Sequence, residues 1–127
     1  MSYRLRVSCW VGWIGVIIAV VVPWTTFRSH SHWDRVLWVP FVSPPVKPVD
    51  IIANVLFYVP FGAFYAWAWF RHRWRAVAYA MVLSVATEFT QVFSHGRFPS
   101  TTDVVSNVLG ACAGIVLVDA WFRRIAL

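Results

Sequence analysis

The chain has 127 residues, of which 60% are hydrophobic and only 13% charged, with nine tryptophans and a net charge of +6. Soluble domains are about half apolar and about a quarter charged, so this composition excludes a disordered chain, a disulfide-framed secreted domain and an ordinary cytosolic globule. Eleven basic residues against five acidic ones would suggest nucleic acid in a soluble protein. In a membrane protein the same surplus sets orientation instead, and no nucleic-acid partner is expected here.

A helix needs roughly 20 mostly apolar residues to cross about 30 Å of hydrocarbon. Four stretches meet that length, at about 7–24, 50–70, 76–93 and 103–122. The reading is an all-α fold: a small polytopic bundle of four transmembrane helices forming one domain over 1–127. The first stretch carries no charge and follows Arg4 and Arg6. Its apolar run is too long for a signal peptide and no small-residue cleavage site follows, so it reads as an uncleaved anchor. Cys9 and Cys112 read as small apolar packing residues.

The loop after the first stretch holds Pro40, Pro44, Pro45 and Pro48, which predict extended rather than helical backbone. His30, His32 and Asp34 in the same loop lack a legible further ligand, so no metal site is assigned to them. Four spans would put both termini and the Arg71–Arg75 turn on one side, with seven basic residues against four opposite. The excess predicts both termini in the cytoplasm. Trp10, Trp24, Trp67, Trp69, Trp74 and Trp121 lie near span ends, as interfacial anchors do.

The second and fourth spans open alike. Asp50-Ile-Ile-Ala-Asn54-Val-Leu aligns with Asp103-Val-Val-Ser-Asn107-Val-Leu at an offset of 53 residues. The match suggests two parallel helical hairpins related by a pseudo-two-fold axis, although chance similarity among apolar segments would also produce it. In each span the Asp and Asn are four apart and share a helix face, the Asn about 6 Å deeper than the Asp. In the third span Ser84, Thr87, Glu88 and Gln91 form one polar stripe on an apolar helix. Asp50, Asn54, Glu88, Gln91, Asp103 and Asn107 thus reach a similar depth from three helices, with Arg97 in the short outer loop above them.

Bland roles exist for several of these groups. Asp50 and Asp103 sit where a carboxylate caps a helix start, as Thr101 and Thr102 also could. Asn54 and Asn107 could be interhelical glue. Glu88 is harder to dismiss, because a carboxylate inside hydrocarbon costs a few kcal/mol unless it faces a cavity or a partner. Either Glu88 is protonated or it pairs with a base, and Arg97 is the only base close to it in sequence. Pro60 should kink the second helix near Leu56, with Gly62 just beyond. Gly110 and Gly114 are spaced for close helix approach, and Asp119 predicts a local ion pair with Arg123 four residues on.

Asn54-Val-Leu-Phe-Tyr-Val-Pro60-Phe-Gly62 resembles the N-x-L-x-x-x-P-x-G segment of the VanZ-like membrane protein family. Glu88-x-x-Gln91, Arg97 and Asp103-x-x-x-Asn107-x-x-Gly110-x-x-x-Gly114 resemble that family's second half, and Val39-Pro40-Phe41 resembles a feature of its first outer loop. The resemblance covers roughly Pro23 to Gly114. It implies a bacterial cytoplasmic-membrane protein of the cell envelope; the family's namesake is associated with resistance to glycopeptide antibiotics of the teicoplanin type.

Two functions follow as expectations. In the first, an outer-leaflet pocket engages a membrane lipid, a cell-envelope precursor or a glycopeptide-related ligand: Arg97 holds an anion while Asn54, Gln91 and Asn107 orient it. In the second, the same pocket is an enzyme site, a hydrolase or transferase for a lipid-linked substrate, with Glu88 as general acid or base and Asp50 or Asp103 as its ionised counterpart. No cofactor is evident, though carboxylates with amides could hold a divalent cation. A small proton-coupled drug exporter and a purely structural bundle are the alternatives, and the oligomeric state is left open.

Overall fold

A computed structural model describes residues 1–42 and 47–126. Four helices make up the fold: α1 (Tyr3–Val21), α2 (Pro48–Ala68), α3 (Arg75–Gln91) and α4 (Thr101–Ile125). Short 3-10 turns occupy Trp33–Arg35 and Phe70–His72. The described residues contain no strand, only single bridges pairing Phe27 with Ser94 and Leu37 with Ser100. The all-helical reading therefore holds, with helix ends displaced by a few residues. α1, α2 and α4 are long and apolar enough to cross a membrane. α3 has 17 residues, about 26 Å at 1.5 Å per residue, just short of the hydrocarbon thickness.

Local chemistry sets the helix starts. Ser2 caps α1 by accepting the Leu5 N–H, and Ser100 caps α4 by accepting the Thr102 N–H at 3.2 Å. Asp103 lies in the first turn of α4 rather than at its cap, and Asp50 in the first turn of α2, where each carboxylate meets the positive end of the helix dipole. Pro48 opens α2 at a position whose N–H would have no helical partner anyway. Of the four loop prolines, Pro40 lies in a turn and Pro48 in the helix, while Pro44 and Pro45 fall outside the described residues. α2 continues through Pro60 without a break.

The molecule is organised on the α2–α4 pair. A Cβ at Gly62 would run into the Ala111 carbonyl oxygen, one at Gly110 into the Val55 carbonyl oxygen, and one at Gly114 into the Val59 carbonyl oxygen. The two backbones are therefore in direct contact, as small residues permit in membrane helices. Asn54 meets Asp103 at one end and Gly62 meets Ala111 two turns further along both helices, so α2 and α4 run in the same direction. Tyr58, Phe61, Tyr65 and Ala66 of α2 are buried with Ala111 and Ile115 of α4, Ala76 and Ala80 of α3, and Ile17 of α1. Trp10 belongs to an aromatic cluster at one end of the helices. It packs among Phe61, Tyr65, Trp69 and Tyr79, with ring centroids 5.3–6.1 Å apart.

The burial pattern is inverted relative to a water-soluble bundle. Ser84, Thr87, Glu88, Gln91, Ser106 and Asn107 face inward, whereas Met81, Val82, Val85 and Phe89 on α3 and Leu109, Val116 and Leu117 on α4 face outward. Val82 is 69% exposed and Glu88 only 8%. Such an arrangement is stable where the surrounding solvent is hydrocarbon. Near the far end of α4, Asp119 pairs with Arg73 at 2.7 Å rather than with Arg123. This corrects the local pairing expected from sequence: α4 turns that face toward the α2–α3 connection, and a partly buried guanidinium takes the place of the exposed Arg123.

The glycines divide into two groups with different expected tolerance. Alanine at Gly62, Gly110 or Gly114 should lower stability by about 1–3 kcal/mol through overpacking. Alanine at Gly12 or Gly15, where nothing lies within 4 Å of the new Cβ, should be neutral or mildly stabilising in a helix interior. The midpoint of heat-induced aggregation in detergent for the five single variants checks this.

Candidate functional site: a polar cavity between α2, α3 and α4

The polar face of α3 points at the α2–α4 pair above the glycine crossing. A cavity of about 280 Å³ opens there, with Asn54 and Tyr58 from α2, Glu88 and Gln91 from α3, Asp103 and Asn107 from α4, and Arg97 from the α3–α4 loop in its wall. Val20 and Val21 of α1 with Ala53 and Phe57 of α2 supply the apolar part. Six of the seven polar residues singled out from sequence thus border one space. Asp50 does not border it: its residue is exposed, one helical turn beyond Asn54. The i, i+4 argument that put Asp50 with Asn54 was sound for α2, but only Asn54 reaches the cavity wall.

The polar groups hold one another. The Asn54 amide donates to Asp103 Oδ1 at 2.7 Å across the α2–α4 interface, so this pair bridges the two halves of the chain. The Asn107 amide donates to Ser84 Oγ at 2.8 Å, tying α4 to α3. Glu88 accepts the Ser100 backbone N–H at 2.8 Å through Oε2, and Gln91 Nε2 approaches Oε1 at 3.5 Å. Of the two readings of Glu88, the ion pair with Arg97 does not form; among the described residues the Arg73–Asp119 contact is the only ion pair. The backbone N–H at the start of α4 takes the carboxylate first and leaves the Arg97 guanidinium at the exposed rim.

Asn107 Oδ1 in the wall is buried with no hydrogen-bond partner within the protein, whereas the Tyr58 hydroxyl is placed beside Ser84 and Thr87. Buried polar atoms are seldom left unpartnered, and Asn107 Oδ1 is a point where a ligand group or water can bind. Tyr58 was not singled out from sequence. The signal existed, since it lies four residues after Asn54 and shares its face. Behind Glu88 a second hollow of about 220 Å³ is almost wholly apolar, lined by Trp33, Val36, Trp38, Val85 and Phe89 among others.

The first loop borders the apolar hollow through Trp33, Val36 and Trp38 and is tied to the start of α4. The Phe41 N–H donates to Thr102 Oγ1 at 2.9 Å, the Leu37 N–H to the Pro99 carbonyl at 2.8 Å, and Thr101 Oγ1 to the Leu37 and Trp38 carbonyls. Phe41 has φ of 63°, uncommon for a bulky residue and held in place by that bond to Thr102. The Val39-Pro40-Phe41 segment is therefore joined to the start of α4, beside the cavity.

The VanZ/LLP1 family model matches residues 9–123, nearly the whole chain. The chain belongs to the VanZ/LLP1 family. No curated protein and no solved structure matches it significantly. The match takes in most or all of each helix and the three connections between them, so in this VanZ/LLP1 chain the cavity wall is wholly within the family region.

The hydrogen bond to Ser100 separates two roles for Glu88. Glutamine retains an acceptor for that N–H and should leave thermal stability almost unchanged. Leucine removes it and should cost about 1–3 kcal/mol, the penalty of a buried donor left unsatisfied. Thermal midpoints of Glu88→Gln and Glu88→Leu in detergent measure the difference.

Proposed function

We propose that this VanZ/LLP1 chain is a cell-envelope membrane protein whose outer-leaflet cavity binds the polar or anionic head group of an envelope lipid or of a glycopeptide-related molecule. The observation that carries the reading is the meeting of one exposed guanidinium, two carboxylates and three amides around a single cavity of about 280 Å³ with an apolar flank. Arg97 at the rim suits phosphate or carboxylate, for which guanidinium offers paired donors. Asn54, Gln91 and Asn107 suit hydroxyl or amide groups. Val20, Val21 and Phe57 suit the first carbons of an acyl or prenyl chain.

Four membrane crossings are part of this proposal. α2 and α4 run in the same direction, so if both cross the bilayer the chain must return between them, and α3 lies in that interval. Its outward face of Met81, Val82, Val85 and Phe89 is apolar, as lipid contact requires. The seven-to-four distribution of basic residues supports both termini in the cytoplasm and the cavity at the outer face of the bacterial cytoplasmic membrane. Reporter fusions check this: green fluorescent protein should fluoresce at either terminus, and alkaline phosphatase should be active only when inserted in the 23–42 loop or near Gly96.

A second reading, catalysis, is favoured by one observation. Glu88 is buried, borders the cavity, and keeps one carboxylate oxygen without a short hydrogen bond. It could act as general acid or base on a lipid-linked substrate, with Asp103 as the ionised partner. An exporter is less well supported, because the polar groups gather at one end of the helices rather than near the midplane.

Ligand binding is tested by native mass spectrometry of the purified chain with anionic and zwitterionic lipids. Arg97→Ala should weaken retention of phosphate-bearing lipids about 10- to 100-fold, the value of a charge-assisted pair of about 1.5–3 kcal/mol. Glu88→Gln should leave that retention intact; loss of turnover in Glu88→Gln with binding preserved would assign the enzymatic reading. Equal lipid retention by wild type and Arg97→Ala would refute the pocket.

A further inference from the structure

Three histidines converge on the outer surface, away from the polar cavity. His30 and His32 come from the first loop and His95 from the turn after α3, more than 60 residues later. Their ring centroids lie 4.8, 5.3 and 4.3 Å apart, and one nitrogen from each falls within 4.8 Å of the other two. Imidazoles at such distances gain little from one another. Arg28 and Arg35 lie in the same loop, and its one carboxylate, Asp34, is not among the groups gathered with the rings. His32 Nε2 is moreover buried without a hydrogen-bond partner, although buried ring nitrogens are normally satisfied.

The backbones beneath the rings are fixed. The Arg28 N–H donates to the Phe93 carbonyl and the His32 N–H to the Val92 carbonyl, both at 2.8 Å. Phe27 and Ser94 form an antiparallel bridge, Thr26 Oγ1 and Ser94 Oγ are 2.7 Å apart, and Arg35 Nη1 donates to the His95 carbonyl at 2.7 Å. Ring placement is thus set by a two-segment scaffold, and side-chain rotation alone needs to close the remaining gap. Around zinc, nitrogens bound at about 2.0–2.1 Å stand roughly 3.3 Å apart in a tetrahedron.

The geometry points to a transition-metal site at His30, His32 and His95 that takes a divalent cation of the zinc class through three imidazole nitrogens. Three neutral nitrogens with no thiolate suit zinc, cobalt, nickel or copper and disfavour magnesium and calcium, which require oxygen. Three protein ligands leave a fourth position open to water or an exogenous group. The ion would clip the first loop to the α3–α4 turn, two residues from Arg97. This inference does not depend on the lipid-binding reading, since no cavity residue is a ligand.

The test uses the full chain purified without a polyhistidine tag, stripped with chelator and titrated with zinc ion alone in detergent, followed by calorimetry and thermal midpoint. One zinc per chain should bind and raise the midpoint. His30→Asn and His95→Asn, both at exposed positions, should each weaken binding at least 10-fold and abolish the rise, while Glu88→Gln and Asp103→Asn should bind as wild type. Absence of saturable binding would overturn the proposal. So would binding that survives both histidine variants, or that is lost with the carboxylate variants instead. Should a histidine variant misfold, wild-type protein titrated with cobalt(II) decides: intense visible bands of a four-coordinate nitrogen site support the assignment, and a weak six-coordinate spectrum refutes it.

Discussion

The close contact of α2 and α4 is the constraint on which the rest of the molecule depends. Gly62, Gly110 and Gly114 let each backbone touch the other's carbonyl groups, an approach that any side chain at those positions would prevent. In hydrocarbon there is little hydrophobic gain from joining two apolar helices, so association rests on van der Waals packing and buried polar bonds. The same approach brings the Asn54 amide within 2.7 Å of Asp103. A wider helix pair would separate these groups and strand two polar side chains in lipid.

On that pair α3 is laid with its polar stripe inward. Ser84 meets Asn107, and Glu88 meets the backbone N–H of Ser100. The second contact is of a different kind from an ion pair. The N–H groups at the start of α4 have no helical partners of their own, and the carboxylate meets one of them there. Arg97 is then free at the rim, which turns a structural charge balance into a surface with a basic edge and an acidic interior.

Much of this was legible in the residues. The Asp-Asn spacing on α2 and α4 and the Ser84–Gln91 stripe on α3 are local periodicities, and a helix turns them into faces regardless of its surroundings. What failed did so at contacts between distant segments. Arg97 is close to Glu88 along the chain, yet the turn between them aims Ser100 at the carboxylate instead. Asp119 has Arg123 at the right helical spacing, yet α4 packs so that Arg73 from another connection reaches it. Asp50 shares a face with Asn54 but lies beyond the level at which the helices enclose space. His95 offered no signal, because its partners lie over 60 residues away and only the pairing of Phe27 with Ser94 aligns them.

By itself the sequence determined that the chain is a helical membrane protein of the VanZ/LLP1 kind, and which side of each helix is polar. Those properties follow from transfer of side chains between water and hydrocarbon and from the 3.6-residue repeat, both of which act residue by residue. Only the tertiary structure decided which polar group meets which, that three helices enclose a cavity with Arg97 at its edge, and that three histidines stand together outside it. These depend on loop paths and on the glycine-set distance between α2 and α4, quantities that no local pattern encodes.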